Sequence, residues 1–188
     1  KMKKLLLSAF VICLAGTSIA QESPLWMRHC ALSPDGTTIA FTYKGDIYTV
    51  PSTGGRATQI TTNPAFDTEP VWGPDSKQIA FASDRMGSLD VFVVSSEGGA
   101  PQRLTTHSGS EKPVAYKDNK HILFTANIAP SAEDAGFPSG QFQQVYEVAV
   151  TGGRPAMFSS MPMECISINK EGVMLYQDKK GYEDYWRK

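Results

Sequence analysis

At 188 residues, with 41% apolar and 20% charged side chains, the chain has the size and composition of one globular domain, which excludes a disordered or fibrous protein. A formal net charge of −1 excludes the strongly basic balance that draws a protein to nucleic acid or to an anionic membrane surface. Three cysteines in this length exclude a disulfide-dense scaffold.

The first predicted element is a leader. Lys3 and Lys4 precede an apolar run from Leu5 to Ala15, and Thr17-Ser18-Ile19-Ala20 places small residues at the −3 and −1 positions of a cut after Ala20. The run is too short for a membrane anchor, since about 20 residues are needed to cross roughly 30 Å of hydrocarbon. Lipidation at Cys13 is disfavoured by Ile12, where a small residue is wanted. Residues 1–20 are therefore expected to be a signal peptide and the mature protein to be exported, periplasmic or extracellular. Its removal takes three lysines and no acids, leaving 15 basic and 19 acidic side chains and a net charge of −4. No nucleic-acid partner, and no membrane partner after cleavage, is expected.

Beyond the leader the chain repeats itself. "SPDGTTIAF" at Ser33–Phe41 returns as "GPDSKQIAF" at Gly73–Phe81, as "KDNKHILF" at Lys117–Phe124 and more weakly as "NKEGVMLY" at Asn169–Tyr176. Counted at Asp35, Asp75, Asp118 and Lys170, the spacings are 40, 43 and 52 residues. The second half of the unit recurs as "DIYTVPSTGGRATQIT" from Asp46, "DVFVVSSEGGAPQRLT" from Asp90 and "VYEVAVTGGRPAMFS" from Val145. Four units follow, at about 24–62, 63–106, 107–160 and 161–188, the last stopping before its Gly pair.

Each unit divides into four short runs; in the first these are His29–Leu32, Thr37–Tyr43, Ile47–Val50 and Ala57–Ile60. The middle runs are β-branched, aromatic or alternating, and Gly, Pro, Asp and Ser separate them, which predicts strands joined by hairpins. Four strands per unit make a β-propeller blade: a lone blade cannot bury both faces, so neighbours stack around an axis. The predicted fold is all-β, three blades of four antiparallel strands plus part of a fourth, an incomplete ring. Ile39, Phe41, Ile79, Phe81, Ile122, Phe124 and Tyr176 are its expected recurrent core residues, and Asp35-Gly36 the first hairpin turn.

From the aromatic that ends the "IAF" motif to the Gly pair the distance grows from 13 residues (Phe41 to Gly54) to 17 (Phe81 to Gly98) and 28 (Phe124 to Gly152). The third insertion, Asn127–Gln143, reads as a long surface loop, either a tolerated excursion or a contact surface.

Catalytic constellations are missing from the sequence: there is no Gly-x-Ser-x-Gly, His-Glu-x-x-His, Gly-Lys-Ser/Thr or Cys-x-x-Cys. His29, His107 and His121 pair with no nucleophile and read as structural or solvated. Asp35, Asp75 and Asp118, with Asp46, Asp90 and Asp184, recur once per unit, which favours hydrogen bonding to turn amides over acid catalysis. Cys30 and Cys165 share a position five residues before Asp35 and Lys170, where the middle units carry Pro70 and Pro113. That puts them at the starts of innermost strands in units one and four, too far apart for the roughly 7 Å Cα separation of a disulfide. Trp26 is expected to pack against the ring or a following domain. No residue is assigned a catalytic, cofactor-binding or metal-binding role.

The pattern "SPDGxxIAF…GDIYxVPxxGGxxxxLT", met by Ser33–Thr61 and Gly73–Thr105, resembles the WD-like repeat of the TolB and tricorn-protease propellers. Because the first repeat starts about a dozen residues after the predicted cut, with no preceding α/β domain, the chain is most similar to the start of a secreted tricorn-like serine protease. The resemblance implies a non-catalytic propeller that gates or guides peptide substrates, followed by further blades, a PDZ-like module and a tail-specific-type peptidase core. A TolB-like periplasmic binding scaffold and the propeller of a prolyl-oligopeptidase-like hydrolase are the alternatives. Lys117, Lys170, Cys30 and Cys165 depart from the repeat pattern.

Known propellers close with roughly 4–8 blades, so the reading frame is expected to run on past Lys188. Sequencing the intact gene checks this: further blades and a peptidase core are the expected result, and a stop codon there contradicts it.

Overall fold

The computed structural model describes residues 26–127, 143–159, 161, 163–169 and 171–178. The leader, most of the Asn127–Gln143 insertion, Asp184 and the end of the fourth unit lie outside the described residues.

Among the described residues every regular element is a strand. The first blade is β1 (Arg28–Leu32), β2 (Thr38–Tyr43), β3 (Asp46–Pro51) and β4 (Thr58–Gln59). The second is β5 (Asp67–Trp72), β6 (Gln78–Ser83), β7 (Asp90–Ser95) and β8 (Gln102–Arg103). The third is β9 (Lys112–Tyr116), β10 (His121–Ala126), β11 (Gln144–Ala149) and β12 (Ala156–Ser159). A fourth begins with β13 (Met163–Ile168) and β14 (Met174–Asp178). Within each sheet the strands lie antiparallel in chain order, and the first strands pack successively, β1 on β5, β5 on β9 and β9 on β13. These are propeller blades arranged about an axis lined by their first strands, in an unclosed ring among the described residues.

Turn chemistry sets the hairpins. At Asp35-Gly36 the Gly36 amide donates to the Ser33 carbonyl at 2.8 Å with φ +76°, the left-handed region that glycine enters without a Cβ penalty. The Gly pairs close the third-to-fourth strand turns. The amides of Gly54, Gly98 and Gly152 donate to Pro51, Ser95 and Ala149 at 2.8, 2.9 and 2.8 Å.

Blade stacking follows from the side-chain alternation of the second and third strands. Phe41 faces Tyr48, Phe81 faces Phe92 and Phe124 faces Tyr146 across the ladder, with ring centroids 5.8, 5.9 and 5.8 Å apart and near-parallel planes. The residues that precede the two rings in sequence, Ala40 and Ile47 in the first blade and Ala80 and Val91 in the second, point to the other face and are smaller. Phe81 and Phe92 pack on Ala40, Ile47 and Ile60 of the first blade. Phe124 and Tyr146 likewise pack on Ala80, Val91 and Val93 of the second. Leu123, Val145 and Ala115 meet Met163 and Ile166 of the fourth. Large-against-small complementarity lets two sheets interdigitate without voids.

Two predicted core residues differ. Ile39 is half-buried, on a sheet face toward which the described residues bring no further blade; Tyr176 is 43% exposed although it shares a face of β14 with Met174, which packs on the third blade. The fourth unit is also one residue out of the expected register. Its turn is closed by the Asn169 amide donating to the Val173 carbonyl, as Ser33 does to Thr38, so Asn169 corresponds to Ser33. Glu171, not Lys170, then takes the place of Asp35, and Asn169 Oδ1 caps the turn by accepting from Glu171 and Val173 at 3.0 and 2.8 Å.

Phe81, fully buried between blades, is expected to cost about 3–5 kcal/mol on truncation to Ala. Met86→Ala, at a residue 61% exposed, is expected to change stability by less than about 0.5 kcal/mol. Denaturant unfolding of both variants checks the contrast.

Candidate functional site

Among the described residues an axial funnel of about 760 Å³ is walled by β1, β5, β9 and β13 and by the turns that follow them. Leu32, Val71, Val114 and Ile166 make the wall apolar; Lys117, Asp118 and Asn169 rim it. All four inner strands are interrupted by a bulge or register shift. In three of them a non-glycine residue there adopts the left-handed region: His29 (φ 50°), Glu69 (φ 54°) and Cys165 (φ 51°). Such a residue costs about 1–2 kcal/mol and persists because the surrounding ladder holds it. Bulges bend the strand and re-aim its side chains. Pro70 and Pro113 were the available signal, since proline in a sheet is confined to edges and bulges.

Charges at the rim are already paired. Lys117 Nζ contacts Glu147 at 2.6 Å and His121 Nδ1 lies 3.1 Å from Asp118. At Asp35 the Ser33 hydroxyl, the Thr37 amide and the Thr37 hydroxyl donate to one carboxylate oxygen at 2.7, 2.9 and 2.8 Å. Ser33 first, and then Thr37, hold that carboxyl down at about 2. Partial burial pulls Asp118 up, and the His121 side chain with the amides of Lys120 and His121 outweighs it, so its carboxyl lies below the ordinary value. Asp75 Oδ1 accepts from the Lys77 amide at 3.0 Å. These three recurrent aspartates are turn caps in the geometry.

Asp46 and Asp90 are not turn caps, which corrects the sequence reading. They open the third strands at the opposite, crossover end of the blades and hold the fourth strand through side chains. Gln59 Nε2 and the Thr61 hydroxyl donate to Asp46 at 3.0 and 3.3 Å, and Arg103 Nη2 meets Asp90 at 2.9 Å. Thr61 and Thr105 turn their hydroxyl oxygens to the amides of Ile47 and Val91 at 3.0 and 2.9 Å. Burial raises both aspartates, against the pull of Thr61 and Gln59 on Asp46 and of Arg103 on Asp90.

Two further acids, Asp67 and Glu111, escaped the sequence reading although they stand at one offset, six residues before Gly73 and Lys117. Both are fully buried. Arg85 Nη2 donates to both oxygens of Asp67 at 2.9 and 3.0 Å, and its guanidinium lies 4.5 Å from the Phe92 ring centroid. Such a two-point charged contact is among the stronger hydrogen-bonding arrangements.

His29, His107 and His121 are not brought together: His29 lies in the β1 bulge, His121 at the rim, and His107 Nδ1 accepts from the Gly109 amide in a crossover. Trp26 does not pack against the blades; it is 73% exposed, with the Arg28 guanidinium 5.3 Å from its ring. Cys30 and Cys165 are both free and exposed. The register shift gives Cys165 the position of His29 rather than of Cys30. Among the described residues no group of three or more His, Cys, Asp or Glu is placed to hold a metal ion. The funnel has an apolar wall with hydrogen-bonding turns at its rim.

The tricorn protease N-terminal beta propeller domain matches residues 24–188, nearly all of the chain. The chain belongs to that family. Tricorn protease homolog 1 of Streptomyces coelicolor is 38% identical over 77 residues, covering 41% of this chain and 7% of the relative. The uncharacterized peptidase YuxL of Bacillus subtilis is 31% identical over 108 residues, 51% of this chain and 16% of the relative. The solved structure of a putative TolB from Agrobacterium tumefaciens superposes with a TM-score of 0.61 at 24% identity, covering 82% of this chain and 57% of that one, and shares the fold. The chain spans less than a fifth of the length of those two curated relatives. It is a tricorn-type propeller domain of a peptidase-related protein.

For this propeller, Cys30 and Cys165 are expected to react with a thiol reagent in the native state without prior reduction. Peptide mapping by mass spectrometry reads the labels; a Cys30–Cys165 bridge would contradict the geometry.

Proposed function

We propose that this propeller is the amino-terminal, non-catalytic part of an exported tricorn-like serine peptidase, and that its axial funnel guides peptide substrates toward a catalytic core carried elsewhere in the polypeptide. The observation that carries the reading is the funnel: an apolar wall and a rim of paired charges, within a domain matched across residues 24–188. An extended peptide offers backbone groups to the rim turns and side chains to Leu32, Val71 and Val114, with no need for a nucleophile in this segment. The leader-like run Leu5–Ala20 supports export. Processing of the amino terminus after Ala20 in the native host is the corresponding check.

Cys30 lies in the funnel wall and is exposed, so it offers a handle for blocking the passage. In the full-length protein carrying Cys165→Ser, a bulky maleimide on Cys30 is expected to slow cleavage of long peptides at least tenfold. Turnover of a short chromogenic peptide, which reaches the core without threading, is expected to change less than twofold. Equal effects on both substrates, or none, would contradict the guiding role.

A further inference from the structure

The two crossovers between described blades contain the same set of groups, differently arranged. In the first, Asp46 opens β3 and Asp67 opens β5; in the second, Asp90 opens β7 and Glu111 directly precedes β9. The equivalence is set by the backbone: the amides of Asp67 and Glu111 donate to the carbonyls of Gly45 and Leu89, each at 2.7 Å. Each crossover has two acids and one guanidinium. In the first, Arg85 takes the deeper acid, Asp67, and the leftover Asp46 is half-buried and bonded to Gln59 and Thr61. In the second, Arg103 takes the other acid, Asp90, and also donates from Nε to the Thr105 carbonyl at 2.8 Å. The oxygens of both acids lack a hydrogen bond of ordinary geometry, but Asp90 has the Arg103 ion pair, whereas the leftover acid Glu111, fully buried, has no ion pair among the described residues.

Among the described residues of the third unit no basic residue substitutes for Arg85. Counted from Phe81 and Phe124, its place falls on Ile128, and residues 128–142 contain no Lys or Arg. Lys112, beside Glu111, is turned to Glu69 at 2.7 Å. The groups that act on the Glu111 carboxyl are Asp90 on β7, Arg103 on β8, and the Thr105 hydroxyl and His107 amide in the crossover. An ionised carboxylate left unpaired in such a place is strongly destabilising, and protonation removes the charge.

We propose that Glu111 is a proton-operated latch between the second and third blades, sealing the 104–111 crossover when neutral and loosening it when ionised. Burial, reinforced by the charge of Asp90, raises its carboxyl to about 7 against the weaker pull of Thr105, His107 and Arg103. The folded value lies above the ordinary 4.5, so the folded chain holds the proton more tightly than the unfolded one. The contribution is full below about 4.5 and is lost as pH rises through about 7. Ionised Glu111 must draw in water or pull Arg103 away from Asp90, and either opens the crossover.

The test compares the full chain with its Glu111→Gln variant, whose amide stays neutral at every pH. The folding constant of the variant relative to wild type is expected to rise about seventyfold from pH 5 to pH 8. A ratio that does not change with pH overturns the proposal. Should the variant not fold, amide hydrogen exchange on the wild-type chain decides the matter. Between pH 6 and pH 8, after correction for intrinsic rates, protection at Leu104 and Glu111 is expected to fall at least fivefold relative to the equivalent Ile60 and Asp67. Equal changes in the two crossovers would overturn it.

Discussion

The fold rests on one repeated contact: a stacked aromatic pair on the second and third strands of a blade, set against the alanine and β-branched residues of the blade before it. Phe81 with Phe92 on Ala40 and Ile47, and Phe124 with Tyr146 on Ala80 and Val91, are two copies of it. Each pair contributes its buried area and about 0.5–1.5 kcal/mol more from ring geometry. A blade built this way has a large face and a small face, so it stacks in one direction only. Because the second and third blades are each offset from the last by the same contact, the first strands converge, and the funnel is what remains at the centre.

Much of this was legible in the chain because the repeat states it several times. Pro34-Asp35-Gly36 and Gly54-Gly55 read as turns only once Pro74-Asp75-Ser76 and Gly98-Gly99 stand beside them, and Phe41, Phe81 and Phe124 recur in step. What stayed hidden depends on contacts between units. Asp46 and Asp90 look like Asp35 and Asp75 in a sequence, but they sit at the crossover end, where their partners are Gln59, Thr61 and Arg103 from the fourth strand. The bulges at His29, Glu69 and Cys165 use non-glycine residues in a glycine conformation, which only a neighbouring proline such as Pro70 announces. The turn in the fourth unit is a residue shorter than in the first two, so a comparison anchored on Lys170 misplaces Cys165 by one step.

The two ends of the blades divide the labour. Turn caps at the rim tie each carboxylate to amides and hydroxyls of its own hairpin. Crossovers at the other end bury acids between blades, where the position of a single arginine decides whether an acid is balanced. Asp67 has Arg85; Glu111 has none; and the third crossover replaces the set with the neutral Gln144, Met157 and Met163.

The central claim is that the funnel between the first strands is where peptide is met. Photo-crosslinking of the full-length protein with a long peptide bearing a diazirine side chain, mapped by mass spectrometry, tests it most directly. Adducts on Leu32, Val71, Val114 and Ile166 are predicted. Adducts confined to the outer strands β4, β8 and β12, with the inner strands unmodified, would contradict the account.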